Sequence, residues 1–177
     1  MIYQPAEDSY LLSKVLKEQL PVILKKNSDL TFLEIGAGSG IQLQTTLNAG
    51  VKKENIFACD LNNEAVEHCR KLGFNCIKSN LFEKIKGKFD VMVFNPPYLP
   101  EDKSEPISSK ISTTGGKNGG EIINKFLSIA KVHLNNQGKI FLLISSLTKG
   151  IDLSGYKKKL LGKRKLFFEE LYCWELK

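Results

Sequence analysis

Along the chain, short continuous apolar runs alternate with stretches whose apolar residues recur every three to four positions, predicting strands that alternate with helices. "AEDSYLLSKVLKEQL" (6–20) reads as an amphipathic N-terminal helix ended by Pro21. "DLTFLEIG" (29–36) is a first strand and "SGIQLQTTLNAG" (39–50) a helix closed by Gly50. "NIFACDL" (55–61) is a second strand, and "NEAVEHCRKLG" (63–73) a helix capped by Asn62 and stopped by Gly73. Strands follow at "FNCIKSN" (74–80) and "FDVMVFN" (89–95). Residues 101–118 are a loop rich in Ser, Lys and Pro. Residues 119–138 form a helix whose positions 122, 123, 126, 127, 130 and 134 make one apolar face. "KIFLLISSL" (139–147) is apolar nearly throughout, as a strand buried on both faces would be, and "LFFEELYCWEL" (166–176) is a closing strand.

Such alternation predicts a doubly wound α/β sheet, in which ligands bind beyond the carboxyl ends of the strands. Residues 1–28 form a helical lead-in, 29–147 the core and 148–177 a C-terminal hairpin of one domain. At 177 residues, with 42% hydrophobic and 25% charged residues, the chain fits a single globular domain. No apolar run approaches a membrane span, and "MIYQPAEDSY" has neither a basic nor an apolar signal region, so a cytoplasmic protein is expected. Cys59, Cys69, Cys76 and Cys173 form no C-x-x-C pair, and His68 and His133 lack ligand spacing. No metal site is expected. The net charge of +7 is uneven: residues 101–177 hold 14 basic against 8 acidic groups. "YKKKLLGKRK" (156–165) is the densest patch, either a solvated surface or a face toward nucleic acid.

Four strand exits carry candidate chemistry. "LEIGAGSG" (33–40) sets Gly36, Gly38 and Gly40 behind Glu34. The third glycine comes one residue earlier than in a nicotinamide fingerprint, so the loop suits either a nucleoside-type ligand or a tight structural turn. Asp60, with Leu61 after it, can accept from two ribose hydroxyls or serve a helix N-terminus. Asn80 can meet an adenine edge with Leu81 against its face, or belong to a turn. "FNPPYLP" (94–100) is the most informative. Neither proline can donate to a ladder, so the strand stops at Phe94 and leaves Asn95 in a stiff loop. The Asn95 side-chain oxygen and the Pro96 carbonyl can accept the two N–H groups of a planar amide or amino nitrogen. Charge then builds on that nitrogen, and Tyr98 can lie against the flat group.

"LEIGAGSG", "CDL", "SNLFE" and "FNPPYLP" together resemble the S-adenosylmethionine-binding and catalytic motifs of class I methyltransferases acting on planar nitrogens. "YQPAEDSYLL" (3–12), "TTGGKNGGEIINKFL" (113–127) and the closing hairpin resemble the archaeal and eukaryotic branch of the HemK-type release-factor glutamine methyltransferases. That resemblance implies a mostly parallel, seven-stranded Rossmann-like sheet with an antiparallel C-terminal strand. It implies S-adenosylmethionine held by Ser9, Glu34, Gly36, Gly38, Asp60, Leu61, Asn80 and Leu81, and substrate held by Asn95, Pro96, Pro97, Tyr98 and Leu99. Asn95, Pro96 and Tyr98 would be catalytic. The implied substrate is the glutamine of the Gly-Gly-Gln motif of a class I translation release factor. The implied partner is a small zinc-binding activator, adding to the sheet at Cys76–Lys78. An adenine amino group on DNA or RNA, or a protein lysine, is the alternative acceptor. Asn80 departs from the family's usual aspartate, and the region 151–163 is too short for the usual last helix.

Overall fold

The computed structural model describes residues 2–101 and 113–177; residues 102–112 of the expected 101–118 loop lie outside them. The elements are α1 (Glu7–Leu24), β1 (Phe32–Ile35), α2 (Ile41–Asn48), β2 (Ile56–Asp60), α3 (Asn63–Lys71), β3 (Asn75–Lys78), β4 (Phe89–Phe94), α4 (Glu121–Ala130), β5 (Leu134–Ser145), β6 (Lys158–Lys165) and β7 (Glu170–Leu176). They build one seven-stranded sheet in the order β3-β2-β1-β4-β5-β7-β6. The first five strands run parallel, and β7 lies antiparallel between β5 and β6. The expected sheet is therefore present, including its antiparallel closing strand.

Period-two alternation sorts the side chains onto two faces. Phe32, Val91, Val93, Phe141 and Leu143 face α1, α2 and α3, where they meet Leu12, Leu16, Leu43 and Val66. Leu33, Ile35, Met92, Phe94, Ile140 and Leu142 face α4, where they meet Ile123, Phe126 and Ala130. No helix occupies 149–157; Ile151, Leu153 and Tyr156 of this segment pack on the second core, and the Tyr156 hydroxyl donates to the Leu127 carbonyl at 2.6 Å. All four cysteines are free and buried. Among the described residues no cluster of side chains is suited to a metal, and no helix is long and apolar enough to cross a membrane.

Several expected boundaries move. Helix α1 runs through Pro21 to Leu24. Pro21 faces solvent near the helix end, where one lost N–H is tolerated, while Ile23 and Leu24 pack on the core and hold the last turn. The helix expected over 119–138 ends at Ala130, and Leu134 pairs in the sheet with Phe89. Between Phe89 and Val91 the register shifts; the extra residues bulge outward while the Asn135 amide donates to Asp90 at 2.8 Å. Leu134 thus continues the apolar spacing of α4 while belonging to β5. Residues 166–169, expected in the closing strand, form the β6–β7 turn. Glu34 lies within β1 rather than beyond it.

Phe126 is fully buried between Phe82 (centroids 5.3 Å apart) and Phe94 (4.7 Å), and Phe94 is the residue before Asn95. Replacing Phe126 with Ala should cost about 3–5 kcal/mol and lower Tm by roughly 10 °C, measured by thermal unfolding. An unchanged Tm would mean that this aromatic stack does not support β4.

Candidate active site

The carboxyl ends of β1, β2, β3 and β4 open into a cavity of about 560 Å3. Its lining includes Ser9, Glu34, Gly36, Gly38, Asp60, Leu61, Asn80, Leu81, Asn95, Pro96 and Pro97, so the fold brings these candidate residues together. Tyr98 and Leu99 lie elsewhere. They line a neighbouring cavity of about 250 Å3 with Tyr3, Asp8, Leu166, Glu169 and Leu171.

The glycine loop turns at Gly36, Gly38 and Gly40, with φ of 72°, 49° and 76°. These left-handed angles strain any side-chain-bearing residue. The Gly36 and Ala37 N–H groups donate to the Cys59 carbonyl at 2.8 and 3.1 Å, pinning the loop to β2. A side chain at Gly38 would meet no atom within 4 Å, so the backbone there fronts open space. Asp60 is held by the Gly38 N–H at 2.9 Å on one oxygen and the Asn62 N–H at 2.7 Å on the other. Each oxygen keeps a second lone pair for a ligand hydroxyl. Asn80 gives its amide N–H to Glu83 at 2.8 Å, which leaves its oxygen as the group to offer a ligand. Leu81 has a φ of 49°, a conformation that costs a leucine about 1–3 kcal/mol and marks a constrained site.

Two buried oxygens have no partner here. One is Glu34 Oε2. Its side chain is 2% exposed, and burial, with smaller contributions from Cys69 and Asp60, pushes the carboxyl well above the usual glutamate range. A positively charged ligand group would offset that cost. The other is Asn95 Oδ1. The Asn95 amide N–H donates to Asp8 Oδ2 at 3.1 Å, which turns the oxygen away from Asp8.

Asp8, which spacing and motif had not singled out, is the hub of the site. It is 4% exposed. It accepts from Asn95, from the Tyr3 hydroxyl at 3.1 Å, from the Tyr98 hydroxyl at 3.4 Å, and from the Ser9 N–H and hydroxyl at 2.5 and 3.1 Å. Every one of these bonds is accepted, so only the NH2 side of Asn95 can face it. Burial and the Asp8 carboxylate raise both phenols above the usual tyrosine range, keeping them as donors. A buried network ties this end of α1 to α2: Gln42 donates to the Ser9 carbonyl at 2.9 Å and accepts from Ser13 at 2.8 Å. The available signal was an acid four residues before Leu12 on the apolar face of α1. Behind the 95–99 loop, Leu99 bridges to Thr114, and side chains at Gly115 and Gly119 would come within 2.5 Å of the Pro97 carbonyl and 2.3 Å of the Tyr98 carbonyl. Those glycines let one backbone support another.

Residues 10–160 match the methyltransferase small domain family. A Methanocaldococcus jannaschii protein, whose name assigns it to the protein N5-glutamine methyltransferases, is 36% identical; the match covers 99% of this chain and 92% of that protein. The mouse methyltransferase HEMK2 is 30% identical over 80% of this chain and 71% of its own length. The chain belongs to the HemK-type class I methyltransferases. Its fold is also similar to that of the E. cuniculi Mtq2–Trm112 complex, responsible for methylation of the eRF1 translation termination factor. There the TM-score is 0.71, with 26% identity over 99% of this chain and 98% of that one. For this methyltransferase, the cavity that the four strand exits frame is thus the candidate active site.

Glu34 gives a direct test. An unfolded glutamate titrates near ~4.3, and the folded one titrates higher. Between those values the folded state holds the proton that the unfolded state has released, so stability falls as pH rises. Glu34→Gln should remove that fall, and the ligand-free variant should melt above the wild type by a margin that grows as pH rises above ~4.3. A variant that melts lower at pH 7 would mean that the carboxyl is already partnered.

Proposed function

We propose that this methyltransferase transfers a methyl group from S-adenosylmethionine to the side-chain amide nitrogen of a glutamine, that of the Gly-Gly-Gln motif of a class I translation release factor. The observation that carries the reading is the unpartnered Asn95 oxygen, aimed away from Asp8 in a cavity that also holds Pro96. The name of the archaeal relative and the eRF1 methylation attributed to the Mtq2–Trm112 complex point to the same chemistry.

The residues present fit the cofactor. The orphaned Glu34 carboxyl suits the ammonium of its methionine part, beside Ser9, Gly36 and Gly38. Asp60 suits the ribose hydroxyls, with Leu61 alongside, and Asn80 with Leu81 suits the adenine. When bound, S-adenosylmethionine supplies an electrophilic methyl group on a sulfonium. The chain's own contribution is placement. Asn95 Oδ1 accepts one N–H of the substrate amide, and the Pro96 carbonyl accepts the other. Two acceptors favour a nitrogen that gives up its planarity and acquires positive charge, the form that attacks. No base is needed for that attack, because the amide proton becomes acidic only after transfer. Pro97 lines the cavity beside the substrate amide, while Tyr98 and Leu99, which line the neighbouring cavity, brace the loop from behind. Burial pushes the Cys59 thiol up to about 12, so it stays neutral and does not compete for the methyl group.

The partner we propose is a small zinc-binding activator that pairs with β3. This strand forms one edge of the sheet, and Ile77 on it, like Phe57 beside it on β2, is only partly buried. The name of the Mtq2–Trm112 complex supports a two-chain assembly, and adding a strand to a short open edge satisfies its unpaired backbone groups.

Mass spectrometry of a release factor after incubation with enzyme, activator and cofactor should find one added methyl group on the glutamine amide. A methyl group on lysine, transfer to nucleic acid, or no transfer with the activator present would overturn the assignment. A second test addresses Asp8 and Asn95 together. Asn95→Ala should lower kcat by roughly 100-fold, and Asp8→Asn by roughly 10-fold or more, as for a hydrogen bond to a charged group. If Asp8 acts by orienting the Asn95 amide, Asp8→Asn should cost little further in the Asn95→Ala background, with cofactor Kd changing far less than kcat. Additive losses would give Asp8 a separate role.

A further inference from the structure

The β6–β7 turn presents Phe167 and Phe168 at 99% and 92% exposure, with ring centroids 6.4 Å apart. Neither ring packs against the cores, so folding gains nothing from them. The turn itself is firmly built. The Leu166 N–H donates to the Glu169 carbonyl at 2.8 Å, Glu169 accepts from the Ser145 hydroxyl, and Glu170 exchanges two hydrogen bonds with Ser146 at 2.8 and 2.9 Å. Two large apolar side chains are therefore held in water on a fixed support.

Their location is specific. β7 runs antiparallel to β5, so the turn that precedes it stands at the same end of the sheet as Asn95. Leu166, Glu169 and Leu171 line the smaller cavity with Tyr98 and Leu99, and Tyr3 and Asp8 line both cavities. The hairpin and the acceptor site are thus two parts of one rim. A folded protein that inserts a side chain beside Asn95 approaches the sheet at the end where that rim stands. Lys163, Arg164 and Lys165 lead into the turn with exposed side chains; of these, Arg164 pairs with Glu7 at 2.5 Å, and the two lysines have no ion pair among the described residues.

We infer that the Phe167–Phe168 tip, with Lys163 and Lys165 beside it, is the docking element for the protein that carries the acceptor amide, gripping an apolar spot with acidic surroundings near the target residue. The inference rests on the proposed amide methylation of a protein. Interface cores are enriched in aromatic residues inside a polar rim, and a few clustered anchors carry most of the binding energy.

The test compares two acceptors, using enzyme with its activator: the intact release factor, and a short peptide with the same glutamine, too short to reach the hairpin. In Phe167→Ser/Phe168→Ser, Tm should stay unchanged. KM for the release factor should rise roughly 10- to 100-fold, with kcat and the peptide's kcat/KM unchanged. Lys163→Glu/Lys165→Glu should raise KM for the factor in the same way, and that penalty should shrink as salt is added. An unchanged KM for the factor, or an equal loss on the peptide, overturns the docking role while leaving the methylation reading intact. Loss of single-stranded RNA binding in a mobility-shift assay, with KM for the factor unchanged, overturns it in favour of nucleic acid. No methyl transfer by the wild type to either acceptor overturns both.

Discussion

The hydrogen bond from Asn95 to Asp8 organises the site. An asparagine amide is nearly symmetric in shape, and turning it over would exchange an acceptor for a donor at the point where the proposed amide transfer needs an acceptor. A buried group that only accepts removes that freedom. Asp8 can play this part because the first turn of α1 lies at the carboxyl end of the sheet and is held there by Gln42 of α2, which joins Ser9 to Ser13. Tyr3 and Tyr98 fill the remaining approaches with further donors. The lead-in helix is thereby part of the candidate site as well as of the core.

Around that bond the site carries several local costs: an orphaned glutamate, an orphaned amide oxygen and a leucine at positive φ. Each is unfavourable in the free protein, and all three border one cavity. Buried polar groups are nearly always satisfied, so their coincidence marks the place where a ligand completes the structure. The ligand's demanded character follows from their chemistry: cationic near Glu34, and a donor of N–H near Asn95.

Much of this was legible in the amino-acid sequence, and the failures have physical reasons. The strands were readable because a two-sided sheet makes them continuously apolar. The exits were readable because glycine, proline, asparagine and acidic residues recur at four successive strand ends, although each alone also suits a turn or a helix start. The α4–β5 boundary was not, because Leu134 fits both a helical face and a sheet register and only pairing with Phe89 decides between them. Pro21 misled for a related reason: its cost depends on whether the following residues are buried. Asp8 sits inside the opening motif at 3–12, but its role was hidden because it lies in bonds to residues 87 and 90 positions away.

The two edges of the sheet show how the same physics serves opposite ends. At β6, lysines line the edge and Gly162 lets the strand settle against Leu11 and Val15 of α1, so close that a side chain there would come within 3.1 Å of both. Charge and packing together discourage another strand from adding to that side. At β3 the edge is four residues long, and half-buried Ile77 lies on it. A sheet with one guarded edge and one open edge has a direction. It can add a strand at β3 without polymerising through β6, which leaves the cavity at the strand ends between the two edges uncovered.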